Sequence, residues 1–368
     1  MNIVFLKLYI TDDIDDRFYN SQELGLARAL TARHPEHRVD IVLLSYGCRE
    51  KKTMQLSDRI AIHIFPGQGI GHHGRINPKI LKDLQTDLVH LLADNMRYAP
   101  EIIAYCRKNR IGCHLYIGTL FTDSRKWYKR MAGNLMMRRN LRAYKTVPVY
   151  AKTPAVQAQC RAHGIDAKLA PVGVGMEETV PSERSVEEIR TEFQLPADRR
   201  ILLFVGRLES YKHPSDALEL LLRMEEQYHL LIVGDGSLRA ELEQRIREGQ
   251  LENRVSMIPR IPNARMKELY KACNVFVNLN PDEIYGMAIL EAMCHGCPVF
   301  ARNAPGPAFL LEDGVSGFLC GSVEEMAGRI ASFDSNAEAR YSVSGNARQR
   351  VLDHFVWDRI VDSFEDIR

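Results

Sequence analysis

Short apolar runs alternate with longer amphipathic stretches along almost the whole chain. "NIVFLKLYI", "RVDIVLLS", "LVHLLA", "CHLYIGTL" and "PVYAKT" are separated by helical patterns such as "SQELGLARALTARH" and "APEIIAYCRKN". Apolar runs of strand length interleaved with segments of helical period predict a parallel sheet covered by helices on both faces. The alternation pauses over residues 171–200, which are rich in Gly, Pro and charge. It restarts with "ILLFVGRL", "HLLIVGDG", "RVSMIPRI", "NVFVNLN", "CPVFARN" and "SGFLC". The pattern predicts an α/β chain of two doubly wound parallel-sheet domains, residues 1–172 and 173–353. Sheets of this kind bind ligands beyond the carboxyl ends of their strands, so the expected site is a cleft that the two domains face.

Length and composition agree with two globular domains. The 368 residues are 45% hydrophobic and 26% charged, too many for one ordinary core and without a disordered bias. There is no apolar run of 18 residues and no basic, apolar and small-residue sequence typical of a signal peptide, so a cytoplasmic location is expected. Eight cysteines without a disulfide-framework spacing read as free thiols of a reducing compartment. The net charge of +2 hides a division, with +10 over residues 1–180 and −8 over the remainder. Halves of opposite sign suit different partners.

Candidate chemistry concentrates in the second half. "GRLESYK" places Gly206 in a strand-end turn, followed by Arg207 and Lys212, a planar fork and a mobile point charge suited to a diphosphate. "GDG" at residues 234–236 lacks the third glycine of a dinucleotide fingerprint and reads as a tight turn. "EIYGMAILE" holds Glu283 and Glu291 around Gly286. A helix starting at Gly286 leaves the first-turn amides of Gly286, Met287 and Ala288 as an anion site. If the whole stretch were helical, its eight-residue spacing would part the carboxylates by roughly 12 Å. Glycosidase pairs stand about 5–9.5 Å apart, so a hydrolytic acid/base pair is disfavoured.

Taken in order, these motifs resemble the nucleotide-sugar-binding domain of retaining glycosyltransferases of family 4, which have the GT-B fold of two Rossmann-like domains. The likeness rests on Gly206, Arg207 and Lys212, on Glu283, Gly286 and Glu291, and on "EAMCHGCPVFA". It implies that Arg207 and Lys212 hold the donor's diphosphate and stabilise it as it leaves. Glu283 would contact the transferred sugar and Glu291 the ribose. The base would sit near "PRIP", against the main chain of Ile261, with the amides after Gly286 on sugar or phosphate oxygens. No cofactor and no metal are expected, because two side-chain cations already face the leaving group. The donor expected is a UDP-sugar. The acceptor expected is a lipid-linked intermediate of surface polysaccharide synthesis, with a soluble small molecule as the alternative within the class. A non-catalytic nucleotide-sugar-binding protein is the alternative outside it. The chain departs from the family at Ile284, usually small or proline, and at Phe309, where a glutamate is usual.

In the first half the resemblance is one of architecture. Tyr19, Asn20 and Ser21 fall where the family has a glycine-rich loop, and Gly118 falls where it often carries a histidine. His114 lies inside a strand and reads as a core residue. His72 and His73 in the glycine-rich loop "GQGIGHHGR" are candidates for the acceptor side. Asp13 and Asp15 mimic a metal motif of another glycosyltransferase fold without its context. "CHGC" at 294–297 ends a helix and reads as structural thiols. Residues 125–145 carry eight basic and no acidic side chains, with Trp127, Met131 and Leu135 as an apolar stripe. Trp127, Arg130, Arg138, Arg139 and Arg142 are candidates for peripheral contact with an anionic membrane. No nucleic-acid motif accompanies the charge. The closing "HFVWDRIVDSFEDIR" resembles the family's terminal helix, which implies a helix over about 354–368 packing back on the first domain.

Overall fold

The apolar runs become strands and the amphipathic stretches become helices in the computed structural model, which describes residues 1–11, 22–121 and 127–367, without the side chains of 128–130. The chain divides into two compact units, Met1–Gly175 with Trp357–Arg368, and Met176–Val356. The first contains strands β1 (Asn2–Thr11), β2 (Arg38–Ser45), β3 (Lys52–Ser57), β4 (Ile60–Pro66), β5 (Gln68–Ile70), β6 (His73–Arg75), β7 (Leu88–Leu92), β8 (Gly112–Ile117), β9 (Val149–Ala151) and β10 (Ala167–Leu169). Their order is β10-β9-β8-β7-β1-β2-β4-β3. All pairs on this path are parallel except the edge pair β3–β4.

The second unit has β11 (Arg200–Val205), β12 (Tyr228–Val233), β13 (Val255–Ile258), β14 (Val275–Asn278), β15 (Val299–Arg302) and β16 (Phe318–Cys320). All are parallel, in the order β13-β12-β11-β14-β15-β16. The chain winds one way from β11 to β13 and the other way from β14 to β16. The order therefore reverses between β11 and β14, and ligands of such sheets bind at that switch point. Both sheets bear out the doubly wound α/β fold read from the sequence.

The "GQGIGHHGR" stretch is not the loop expected. It forms the β5–β6 hairpin, and β6 pairs antiparallel with β1 through Tyr9 and His73. Gly69 and Gly74 make this possible, since a Cβ at Gly69 would lie 2.0 Å from the His73 carbonyl and one at Gly74 2.7 Å from that of Leu8. Backbone approach, rather than looseness, accounts for the glycines.

The C-terminal stretch belongs to the first unit, as short turns rather than one long helix: Trp357–Ile360, Val361–Ser363 and Glu365–Ile367. Against boundaries expected after 172 and 353, the units divide after 175 and 356. The Trp357 backbone N–H donates to the Val174 carbonyl, and its indole fills the space left by Gly25 and Gly173. Phe364 packs among His90, His114, Tyr116 and Tyr150. His90 Nδ1 and His114 Nε2 stand 2.6 Å apart, and His114 Nδ1 lies 3.3 Å from the Asp366 carboxylate, which also accepts from Tyr150.

Burial holds both imidazoles below their ordinary value near 6.5, against the opposing pull of Asp366 on His114. His114 also lowers the carboxyl of Asp366. An unfolded chain therefore binds more protons than the native one below about pH 6.5, so this contribution is full above that pH and is lost as pH falls. Amide exchange at residues 364–367 is expected to stay slow above pH 7 and to accelerate progressively from pH 6.5 to 5, after correction for intrinsic rates. Reading it there separates this pair from His229 and His295 of the second unit, which burial also pushes down, to about 4. A flat profile would show that the pair is not held neutral.

Candidate functional site

The switch point of the second sheet gathers the residues singled out in the sequence. β11 pairs with β14 through Leu202–Val275 and Leu203–Phe276. That register carries Val205 alongside Asn278, so the loops starting at Gly206 and Leu279 leave the sheet side by side. From the first loop comes Lys212, at the end of a 3-10 turn, Ser210–Lys212. His213 follows with φ 54° and starts the helix Pro214–Leu222. From the second comes Glu283, a buried residue.

Lys212 Nζ donates to Glu283 Oε2 at 2.7 Å, and Asn278 Nδ2 reaches the same oxygen at 3.3 Å. A charge-assisted bond at this distance fixes the carboxylate and offsets its desolvation. Arg207 is exposed, and its guanidinium lies 5.4 Å from the centre of the Tyr211 ring. Lys212 Nζ lies 5.5 Å from the same ring. Both cations thus lie within cation–π distance of the Tyr211 ring.

Gly286 adopts φ 98° and caps the helix Met287–Cys294. The left-handed turn lets the chain enter the helix abruptly, so Glu283 lies before the helix and Glu291 within it. Amides of Met287 and Ala288 lie in the first turn, where helix dipole and unpaired N–H groups favour an anion. Glu291 accepts a hydrogen bond from the buried Tyr270 hydroxyl at 3.0 Å. Ile261 is half-buried in the loop between β13 and the helix Asn263–Ala272.

Three groups were not found by sequence reasoning. Asn278 and Tyr211 have no motif of their own, because each acts through a neighbour. Gly306 carries no signal of its own inside "APGPAFLLED". Its N–H donates to the Glu283 carbonyl at 2.8 Å, and a Cβ there would lie 2.4 Å from the Tyr285 carbonyl. Gly306 therefore clasps the loop that carries Glu283. Phe309 packs its ring against Tyr285 and Phe355, so an aromatic contact stands where the resemblance implied a carboxylate. Ile284 is 38% exposed.

The "GDG" turn has a structural explanation. A Cβ at Gly234 would lie 1.9 Å from the Gly206 carbonyl, and one at Gly236 2.6 Å from that of Leu208. These glycines seat the second strand-end loop directly on the first. Cys294 and Cys297 are buried free thiols, raised by burial, Cys294 to about 12, as expected of structural residues.

In the first unit the candidates do not converge in this way. Tyr19, Asn20 and Ser21 lie outside the described residues, as does the Arg130 side chain. Gly118 gives its N–H to Asp94 at 2.6 Å, and Lys152 and Asp94 border the space where a side chain would stand. His72 stacks on Tyr9 with ring centres 4.8 Å apart. His73 receives the Arg97 backbone N–H at 3.4 Å, and burial, then Arg97, lowers its pKa. Trp127, Met131 and Leu135 are 68%, 61% and 69% exposed on the helix Trp127–Tyr144. Arg138, Arg139 and Arg142 are exposed beyond them, and Arg139 donates to the Arg97 carbonyl. No helix among the described residues is long and apolar enough to cross a membrane.

Residues 185–350 match the family described as glycosyl transferases group 1. The chain is 24% identical over 196 residues to an N-acetyl-alpha-D-glucosaminyl L-malate synthase of Bacillus anthracis, covering 52% of this chain and 51% of that protein. It is 24% identical over 319 residues to a putative teichuronic acid biosynthesis glycosyltransferase of Bacillus subtilis, 78% of this chain and 75% of that one. The Anabaena protein HepE, solved with UDP and glucose, superposes with a TM-score of 0.76 at 20% identity, over all of this chain and 98% of its own. The chain spans about half the length of the first curated relatives it matches. The family match is confined to residues 185–350, within the second unit, and the fold is that of GT-B glycosyltransferases, as the resemblance implied.

Proposed function

We propose that this chain, a group 1 glycosyl transferase over residues 185–350, moves a sugar from a UDP-sugar to an acceptor with retention of configuration and without a metal ion. The observation that carries the reading is the Lys212–Glu283 pair, 2.7 Å apart at the sheet's switch point and next to a helix start. The diphosphate binds between Arg207, Lys212 and the amides of Met287 and Ala288. Lys212 is shared between Glu283 and the phosphates, so charge developing on the leaving group draws the ammonium toward it as the glycosidic bond breaks. Glu283, fixed by Asn278, accepts from a hydroxyl of the transferred sugar. Glu291, held by Tyr270, accepts from the ribose, and Ile261 meets the base through its main chain. Retention follows if the acceptor attacks from the face the diphosphate leaves, with a phosphate oxygen taking its proton. UDP and glucose bound to the Anabaena protein support the donor class.

The donor is tested by screening nucleotide-sugars for thermal stabilisation and slow hydrolysis. A UDP-sugar is expected to raise the unfolding midpoint more than other nucleotide-sugars. Absence of stabilisation by every nucleotide and nucleotide-sugar overturns the proposal.

For the acceptor we propose a lipid-linked intermediate of cell-surface polysaccharide synthesis, with the protein peripheral on the inner membrane face. The exposed stripe Trp127, Met131 and Leu135 beside Arg138 and Arg142 suits an anionic bilayer surface. Co-sedimentation with anionic vesicles is expected, weakened about tenfold when Arg138, Arg139 and Arg142 are neutralised, at about 1 kcal/mol or less per exposed charge. Failure of the parent protein to bind such vesicles would return the acceptor to a soluble molecule.

A further inference from the structure

The turn between the first helix and β2 carries a second set of donor atoms, far in sequence from the motifs above. The helix Gln22–Arg33 is followed by "HPEH", and the His37 N–H donates to the His34 carbonyl at 3.0 Å, closing a tight turn with Pro35 inside it. The closure brings the two imidazoles to the same side, nearly parallel, with ring centres 5.1 Å apart. His34 Nδ1 lies 3.7 Å and His37 Nδ1 3.3 Å from Glu36 Oε1, and the three ligand atoms lie within 4.8 Å of one another.

These distances suit a small metal ion. Zinc bonds of about 2.0–2.1 Å to nitrogen and oxygen in tetrahedral geometry place neighbouring ligand atoms about 3.3 Å apart. The buried His37 supplies a second, independent sign. Its Nε2 lies 3.0 Å from the Ile367 carbonyl, which can only accept, so Nε2 is the donor there and Nδ1 is the ring nitrogen left to face Glu36. A ligating histidine that gives its other N–H to a backbone carbonyl is held in the tautomer and orientation a metal needs. The Met1 amino nitrogen is 3.3 Å from the same Nδ1 and, as an ammonium, competes for it.

We infer that His34, Glu36 and His37 form a structural zinc(II) site, with solvent completing the coordination. Two imidazoles and a carboxylate are a donor set zinc accepts readily. Because His37 also holds Ile367, the metal ties the turn to the C-terminal segment, which the Arg33–Asp362 pair already links to the same helix. The inference does not depend on the sugar-transfer reading.

The test uses the full chain, freed of metal by a chelator and titrated with zinc chloride near neutral pH. Calorimetry is expected to show one-to-one binding, with slower amide exchange at residues 365–367 in the bound form. His34→Ala and Glu36→Gln leave the His37–Ile367 contact in place, so both should fold. Each is expected to weaken zinc about tenfold or more, on the scale that loss of a ligand partner costs. No binding by the parent chain overturns the site, as does binding that both variants retain unchanged.

Discussion

Replacing Glu283 by Gln is expected to lower the turnover number about 10²–10³-fold, the scale of losing one fixed group that stabilises a transition state. The substitution keeps the shape of the side chain and the Asn278 contact while removing the charge. It also frees Lys212, whose ammonium now pairs with Glu283 at 2.7 Å. UDP affinity should therefore stay the same or rise while transfer fails. The variant should fold, because an amide can still accept from Lys212 and Asn278. Unchanged turnover would remove Glu283 from the reaction. A parallel fall in UDP affinity would move it to the nucleotide.

Lys212→Ala is expected to be the more damaging of the two cation variants, with a loss of about 10²-fold or more in kcat/KM. Lys212 is partly screened from solvent, and its removal leaves a buried carboxylate without its ionic partner. Arg207→Ala should cost about tenfold, because the exposed guanidinium acts across water and salt. Raising ionic strength should erode the Arg207 contribution more than that of Lys212. The double variant Lys212→Met with Glu283→Gln should recover the stability lost by Lys212→Ala without recovering activity. Equal effects of both single variants, or recovery of activity in the double one, would contradict the division.

The sequence made legible those features that depend on spacing along the chain. Strand runs gave both sheets, and the order of Gly206, Arg207, Lys212, Glu283, Gly286 and Glu291 pointed to one site. What it concealed depends on approach through space. Gly234 and Gly306 are required by carbonyls of distant loops, at 1.9 and 2.4 Å from their missing Cβ atoms. Asn278 and Tyr211 serve the site through Glu283 and the two cations. The β5–β6 hairpin escaped notice because its strands are three residues long and glycine-rich, too short for a period-two pattern. The His90–His114–Asp366 chain joins three segments that no local pattern connects.

In the proposed function, Glu283 and Glu291 grip different parts of one donor. Calorimetric titration of Glu283→Gln and Glu291→Ala with UDP and with the UDP-sugar found in the donor screen tests it most directly. Glu283→Gln is expected to bind UDP at least as well as the parent but to lose the added affinity for the sugar. Glu291→Ala is expected to weaken both ligands by the same factor, about tenfold for a lost charged hydrogen bond. Identical profiles for the two variants, or UDP affinity that falls only with Glu283→Gln, would contradict it.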